Sequence, residues 1–457
     1  MFRRLQVTDR LYYLILSLAL ALVLILGYGQ SRATLLAPGS WSLHLWMLRD
    51  PLAMLLFGAS LSILAWRVAF ALRYRPYAGL AVTRLPRVTV VIPAYNEGEQ
   101  VLSTVRSVLA SDYPHRRLSV VCVDDGSRDD TWHWMTRAGQ EFPRRVEIIR
   151  QPRNMGKRAA LMRGFERAKG DVIVTLDSDS EILPRTLQEL VSPFVHDARV
   201  GSVAGNVRVL NLAEGPIPKM LDVSFTSAFD FIRAGQSVYG GVFCTPGALS
   251  AYRAPLLKSL VGEWAAQTFL GYPAAIGEDR ALTNLVLAAG HRVVYQRDAV
   301  VLTKVPTNYT SLRKMLLRWA RSNVRENLVM FSFIFRRFRP DDTGANWVRL
   351  FSVLQVVRMT LFEALKLVLL VALLRNPVTA LLAVSFGCVI GSIVPAVVHH
   401  RRYGGLFGLR WALPYTFYWL FCLAWISVWG LLTAGNSGWL TRNVTAPTKP
   451  VKLPAAA

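Results

Sequence analysis

Residues 88–97 read VTVVIPAYNE, an apolar run closed by a tyrosine, an amide and a carboxylate. Apolar residues in so short a run, ended by turn-forming polar residues, predict a strand from Val88 to Pro93. Outward from it, a helical pattern covers Val101 to Leu109, and a second strand covers Leu118 to Val123. A helix around Trp132, a strand Val146 to Ile149, a helix Lys157 to Lys169, a strand Val172 to Leu176 and a helix after Pro184 continue the series. Such alternation predicts a parallel α/β sheet. Ligands of these sheets lie beyond the carboxyl ends of the strands. Three polar signals fall at that edge: Tyr95-Asn96-Glu97, Asp124-Asp125-Gly126-Ser127 and Asp177-Ser178-Asp179.

The flanks are apolar. Of 457 residues, 53% are hydrophobic and 18% charged, which excludes global disorder and argues against a purely soluble chain. A spanning helix needs about 20 mostly apolar residues. Five stretches qualify: Leu11 to Tyr28, Leu52 to Leu72, Leu350 to Leu374, Val378 to Val398 and Ala412 to Ala434. Arg3, Arg4 and Arg10, then Arg73, Arg75, Arg84 and Arg87, then Arg401, Arg402 and Arg410 mark the cytosolic side. The N-terminus is therefore expected inside and the C-terminus outside a plasma or bacterial inner membrane. The expected divisions are 1–72 with two spans, a cytosolic domain 73–304, interface helices 305–347, three spans in 348–434 and an external tail 435–457.

Lys plus Arg exceed Asp plus Glu by 53 to 29, a formal charge of +24. The excess suits nucleic acid, anionic lipid or phosphate-rich substrates. Because it clusters beside the spans, lipid explains it and no nucleic-acid partner is expected. Cys122, Cys244, Cys388 and Cys422 include no CxxC pair, so neither a zinc site nor a disulfide framework is indicated. His399-His400 beside Arg401 reads as a cytosolic loop.

Asp177 and Asp179, one residue apart after a strand, can turn oxygens to one point and share a hard divalent cation with phosphates. Taken singly, that tripeptide reads as a solvated turn, and Asp124 to Ser127 as a turn with a cap at Ser127. Together they favour a nucleotide-diphosphate site.

The ordered motifs VIPAYNE (91–97), DDGS (124–127), NMGKR (154–158), DSD (177–179), GNVRVLN (205–211), CTPGALSAYR (244–253), GEDRALTN (277–284) and RW (318–319) resemble the processive membrane-embedded inverting glycosyltransferases of family 2. Hyaluronan synthases and rhizobial chitooligosaccharide synthases are the most similar groups. The resemblance implies a GT-A-type, Rossmann-like cytosolic α/β domain inserted between transmembrane helices, two before and three after, with amphipathic interface helices. It implies UDP-sugar as donor, a growing glycan as acceptor, Mg²⁺ or Mn²⁺ as cofactor and the bilayer as partner. On the donor side it places Pro93, Tyr95, Glu97, Asp124, Asp125, Lys157, Asp177, Ser178 and Asp179, with the metal at Asp177 and Asp179. On the acceptor side it places Cys244, Gly247, Tyr252, Glu278 and Trp319. Asp279 is implied as general base, Arg318 as the charge stabilising the departing diphosphate and Trp319 as the floor of the acceptor sugar.

The chemistry agrees with those roles. A leaving diphosphate needs fixed positive charge, and Arg318, Lys157 and a metal supply it. One carboxylate base suffices for a single inverting displacement. The plain reading of Asp279 is a salt bridge to Arg280, and Tyr252 and Trp319 read equally well as core. Met315 stands where the family usually has Gln, which bears on acceptor identity, chain length or processivity. Residues Tyr309 to Met330 carry Arg313, Lys314, Arg318, Arg321 and Arg325 and predict an amphipathic helix at the membrane surface.

Gln355, Arg358, Glu363 and Lys366 share one side of the third span, where charge facing lipid is costly. That side is expected to line a glycan channel. The competing expectation is internal pairing of Glu363 with Lys366. Trp411, Tyr415, Tyr418, Trp425 and Trp429 form an aromatic stripe that reads as packing or interfacial anchoring. Rival functions are a non-processive enzyme acting on a lipid acceptor and a nucleotide-binding transporter or scaffold.

Overall fold

The computed structural model describes residues 8–18, 21, 51–336, 338–340, 342–363, 366, 370, 373–374, 377–436 and 438. Its strands are β1 (Val88–Ala94), β2 (Leu118–Asp124), β3 (Val146–Arg150), β4 (Val172–Leu176), β5 (Ser180–Ile182), β6 (Val200–Val209), β7 (Leu249–Arg253), β8 (Thr268–Phe269), β9 (Tyr272–Pro273) and β10 (Arg292–Thr303). Eight form one sheet in the order β3-β2-β1-β4-β7-β6-β10-β5, and β8 and β9 form a separate hairpin. β1 sits inside the sheet with every residue buried, which is why its sequence is a run and not an alternation.

The sheet is mixed, not parallel throughout. β7 runs antiparallel between β4 and β6, and β5 runs antiparallel to β10. The reversal has a geometric consequence. Leu176 pairs with Leu249, so the residues just before β7 lie beside those just after β4. Cys244 to Gly247 are thereby carried to the edge where Asp177 emerges.

Helices α1 (Pro51–Arg73), α2 (Gln100–Leu109), α3 (Thr131–Glu141), α4 (Lys157–Arg167), α5 (Thr186–His196) and α6 (Pro216–Thr226) precede β7. α4 approaches β1 closely at Gly164, where a Cβ would stand 2.1 Å from Val91 Cγ1. α6 runs through a wide turn, Ser227–Arg233, into α7 (Ala234–Val238). α8 (Ala254–Ala265), α9 (Glu278–Ala288) and α10 (Tyr309–Phe333) follow. α10 is the expected amphipathic helix, although Arg321 and Arg325 are buried in it instead of facing outward.

Half of the expected first span lies outside the described residues, and α1 covers the residues expected for the second. The third begins early as α11 (Gly344–Val357), widens over Arg358–Phe362, and lies mostly outside the described residues thereafter. α12 (Pro377–Tyr403) leaves Leu382, Phe386, Val389, Ile390, Ile393 and Val397 exposed at helical spacing, an apolar face suited to lipid. The fifth is broken: α13 (Phe407–Tyr418), a wide turn and α14 (Trp425–Leu432) bend by 44°. Among the described residues, Ala380–Tyr403 is long and apolar enough to cross a bilayer, and the bent pair is a second candidate.

His399 is not in a loop. It lies in the last turns of α12, buried, 3.5 Å from Asp222 Oδ2, with its ring stacked on Phe407. Asp222 also accepts from the Arg208 guanidinium of β6 at 2.8 and 2.6 Å. A charged knot therefore ties α12 to the sheet. Of the aromatic stripe, Trp411, Tyr415 and Tyr418 pack in a small core that also takes Met315, whereas Trp425 and Trp429 are exposed.

Candidate active site

The site is assembled at the carboxyl edge of β1, β2 and β4. Beyond β1, the Asn96 N–H donates to Ser127 Oγ (3.1 Å), and the Arg128 N–H donates to Asn96 Oδ1 (2.9 Å). The Glu97 and Gly98 N–H groups donate to Thr131 Oγ1. These bonds fuse the loops after β1 and β2. Asp124 is buried, accepts from the Ser127 N–H (2.9 Å) and lies 3.3 Å from Arg150 Nε. Ser127 therefore caps no helix, and Asp130 precedes α3 instead. Asp125 accepts from Gln151 Nε2 (2.7 Å) and from the Met155 (2.8 Å) and Gly156 (2.9 Å) N–H groups. One carboxylate thus shapes the loop that delivers Lys157 as the first residue of α4.

Lys157 Nζ lies 2.5 Å from Asp177 Oδ1 and 3.1 Å from Glu278 Oε1. Glu278 and Asp279 open α9, directly after Gly277 at φ +71°. Asp279 Oδ1 accepts from the Arg280 backbone N–H (2.7 Å), and the Cys244 thiol lies 3.7 Å from Oδ2. The Arg280 guanidinium turns away to Asn323 (2.5 Å), Asn327 and Gln355 (3.2 Å), so no Asp279–Arg280 salt bridge forms. Gly247 is packed so tightly that a Cβ would stand 2.8 Å from Lys157 Nζ and 3.4 Å from Asp177 Oδ2.

Pro93, Lys157, Asp177, Gly247, Tyr252, Glu278 and Asp279 line one pocket, floored by Leu161, Phe165, Leu176, Trp264 and Leu282. Inside it the two neighbouring carboxyl groups are driven apart. Burial raises the pKa of Glu278, but the charges of Lys157 and Arg318 overcome it and hold the group at about 2. Asp279 is raised, first by burial and then by the charge on Glu278. Burial lowers the pKa of Lys157, yet Asp177 and Glu278 reverse the effect and keep it charged. Burial and the charge of Asp279 push the Cys244 thiol up to about 12, so it is no nucleophile at neutral pH. A neighbour ionised at neutral pH beside a carboxylate of raised pKa is the arrangement that separates electrostatic from proton-transfer roles.

Of the remaining sequence-predicted residues treated next, Tyr252 alone is among those lining this pocket. Tyr95, Asp124 and Asp125 are buried in the fused loops. The Ser178 carbonyl accepts from Thr104 Oγ1, and Asp179 Oδ1 accepts from Ser180 Oγ (3.0 Å) and Thr303 Oγ1 (3.3 Å). Tyr252 is 1% exposed, its hydroxyl 2.9 Å from Thr245 Oγ1. Its ring belongs to the core and is not an open sugar platform. Arg318 and Trp319 sit on α10, with Trp319 39% exposed and its ring 6.4 Å from that of Phe225. Glu363 and Lys366 do not stand as a free polar stripe. Lys366 Nζ reaches both Glu363 oxygens (2.8 and 3.0 Å) and Ser427 Oγ (2.5 Å), which joins the third span to α14. Gln355 turns to Arg280, while Arg358 is exposed. Two residues escaped sequence reasoning. Trp264 floors the pocket and donates to the Glu278 carbonyl (2.9 Å), and Arg158 lies 4.9 Å over its ring. Arg158 was visible inside NMGKR, whereas nothing around Trp264 marks it.

Among the described residues no three His, Cys, Asp or Glu side chains form a ready metal cage. Asp177 and Asp179 are hard oxygen donors, and Mg²⁺-like ions are commonly held by one or two carboxylates plus substrate phosphates. The donor set therefore fits a hard divalent cation that arrives with a diphosphate.

This fold and site define a sugar-nucleotide-dependent hexosyltransferase. Residues 89–261 match the family described as Glycosyl transferase family 2. An N-acetylglucosaminyltransferase of Rhizobium meliloti (strain 1021) is 33% identical over 404 residues, covering 86% of this chain and 91% of that protein. A hyaluronan synthase of Streptococcus pyogenes is 32% identical over 357 residues, covering 71% and 83%. The solved mannosyltransferase PcManGT from Pyrobaculum calidifontis, in complex with GDP-Man and Mn²⁺, superposes with a TM-score of 0.54 at 21% identity over 82% of this chain and 97% of that one. That likeness speaks for the fold. The chain belongs to glycosyl transferase family 2.

Proposed function

We propose that the protein is a processive, inverting β-glycosyltransferase that polymerises a UDP-activated sugar at the cytosolic face of a bacterial inner membrane and passes the product outward between its own helices. UDP-N-acetylglucosamine is the first donor, and UDP-glucuronic acid is the candidate second. The names of the Rhizobium and Streptococcus relatives favour this choice.

The observation that carries the reading is the convergence of Lys157, Asp177, Glu278 and Asp279 on one pocket from α4, β4 and α9. Asp279, with its raised pKa, takes the proton of the acceptor hydroxyl as that oxygen attacks the anomeric carbon. Lys157 and Arg318 meet the charge that develops on the departing diphosphate, and Glu278 holds Lys157 in place. Tyr95, Glu97, Asp124 and Asp125 shape the nucleotide side. When bound, Mg²⁺ or Mn²⁺ at Asp177 and Asp179 supplies further neutralisation of the diphosphate. Trp319, open on α10, faces the acceptor sugar. The N-terminus lies in the cytosol and the C-terminus outside.

The test is to supply purified protein with a panel of UDP-sugars, singly and in pairs, with Mg²⁺ or Mn²⁺, and to digest the product with linkage-specific hydrolases. A ladder that requires UDP-N-acetylglucosamine is expected. A single lipid-extractable product contradicts processivity, and no consumption of any UDP-sugar contradicts the donor class.

A further inference from the structure

Arg318 and Arg325 lie seven residues apart on α10, two helical turns, and so project from one face. That face meets the turn carrying Glu278 and Asp279. Arg325 Nη2 donates to the Ile276 carbonyl, and a Cβ on Gly277 would stand 3.1 Å from the same nitrogen. Three residues beyond Gly277, the Arg280 guanidinium reaches back to Asn323 and Asn327 of α10. The base-bearing turn is thus bolted to α10 on both flanks.

The centre of the bolt is Glu326, fully buried, with partners on α10, on α9 and in the segment between α8 and β8. Its Oε1 accepts from Arg325 Nε (2.7 Å) and from Gln267 Nε2 (3.0 Å), and its Oε2 accepts from Asn284 Nδ2 of α9 (2.9 Å). Gln267 Oε1 accepts from Arg158 Nη2 (3.2 Å), and Arg158 directly follows Lys157. Arg158 also holds the Trp264 carbonyl, and the Trp264 indole donates to the Glu278 carbonyl. A closed circuit therefore runs from the helix of Arg318 and Trp319, through Glu326, to the residue next to Lys157 and to the backbone of Glu278. Burying a carboxylate is costly and these donors offset the cost; Glu326 is not among the residues lining the pocket of Lys157 and Asp279.

We infer that Glu326 is a positioning residue for the transfer reaction: by holding Arg325, Gln267 and Asn284 together it fixes the distance between Asp279 and the Arg318–Trp319 pair. The inference rests on Asp279 acting as the base. A base displaced by about 1 Å loses much of its advantage, and a loosened turn admits water both as competitor for the donor and as solvent for Asp279.

The experiment compares wild type, Glu326→Gln and Gln267→Leu, the last severing only the Arg158 arm and serving should the first not fold. Three quantities are read: kcat with KM for the UDP-sugar, the acidic limb of the pH–rate profile, and the ratio of UDP released to sugar transferred. Glu326→Gln is expected to lower kcat by about 10- to 100-fold with KM nearly unchanged, to move the acidic limb to lower pH as Asp279 becomes better solvated, and to raise the ratio. Gln267→Leu is expected to move all three in the same direction by less. A purely structural role lowers the amount of active enzyme and leaves the limb and the ratio at wild-type values; that result in both variants overturns the inference. Asp279→Asn in the same assays tests the base separately, because retained turnover there removes the reading beneath and not the circuit itself.

Discussion

Lys157 Nζ lies 3.1 Å from Glu278 Oε1, so the first turn of α4 and the first turn of α9 close on each other across the pocket. More than a hundred residues separate them in sequence, and the ion pair joins the loop before α4 to the turn that opens α9. Removing its positive member leaves Asp177 and Glu278 facing each other. Breaking a buried pair from one side costs about 3–5 kcal/mol. Lys157→Met is expected to lower the unfolding midpoint and to cut turnover by at least about 100-fold, measured by thermal melts and UDP release.

Glu278 adds a pH signature. Its folded pKa is about 2, against about 4.3 for an unperturbed glutamate. The unfolded chain therefore takes up the proton first as pH falls. The stability contributed by Glu278 is complete above about pH 5 and is lost as pH drops toward 2. The difference in unfolding midpoint between wild type and Glu278→Gln is expected to be largest near neutrality and to shrink through this window.

Asp125 holds three donors of the 151–156 loop and lies outside the pocket lining. Asp125→Ala frees the loop that carries Lys157 and is expected to raise KM for the UDP-sugar by about 10-fold or more, with a smaller change in kcat. Steady-state kinetics at saturating acceptor check the split.

Asp177 and Asp179 would hold a divalent ion that neutralises the diphosphate, so turnover is expected to depend on such an ion. Chelation is expected to stop UDP release, and Mn²⁺ or Mg²⁺ to restore it. Asp179→Asn is expected to raise the metal concentration needed for half-maximal rate. Full activity in chelator removes the metal from the account.

Much of the donor half was legible because local pattern dictates it. β4 occupies the expected residues Val172–Leu176, and β1, β2 and β3 each extend one residue beyond expectation. The polar triplets fall at the strand ends because a turn must follow a buried strand. What sequence did not disclose was set by partners far along the chain. The antiparallel run of β7 depends on the helical excursion before it, and it alone brings Gly247 to Lys157. The burial of His399 follows from Asp222 waiting beneath α12. The pairing of Glu363 with Lys366 is the competing expectation from the sequence, which does not reveal Ser427 opposite them. Arg325 read as a surface cation because the Ile276 carbonyl and Glu326 that bury it are brought together only in the fold.

The most direct measurement concerns Asp279, whose pKa is raised from its usual value by burial and by the charge on Glu278. In wild type kcat is expected to fall as pH drops through that raised pKa, because the base must be ionised to act. Asp279→Asn is expected to retain UDP binding by calorimetry while turnover falls by about 10²- to 10⁴-fold. An Asn variant that releases UDP and extends glycan at the wild-type rate would contradict the account.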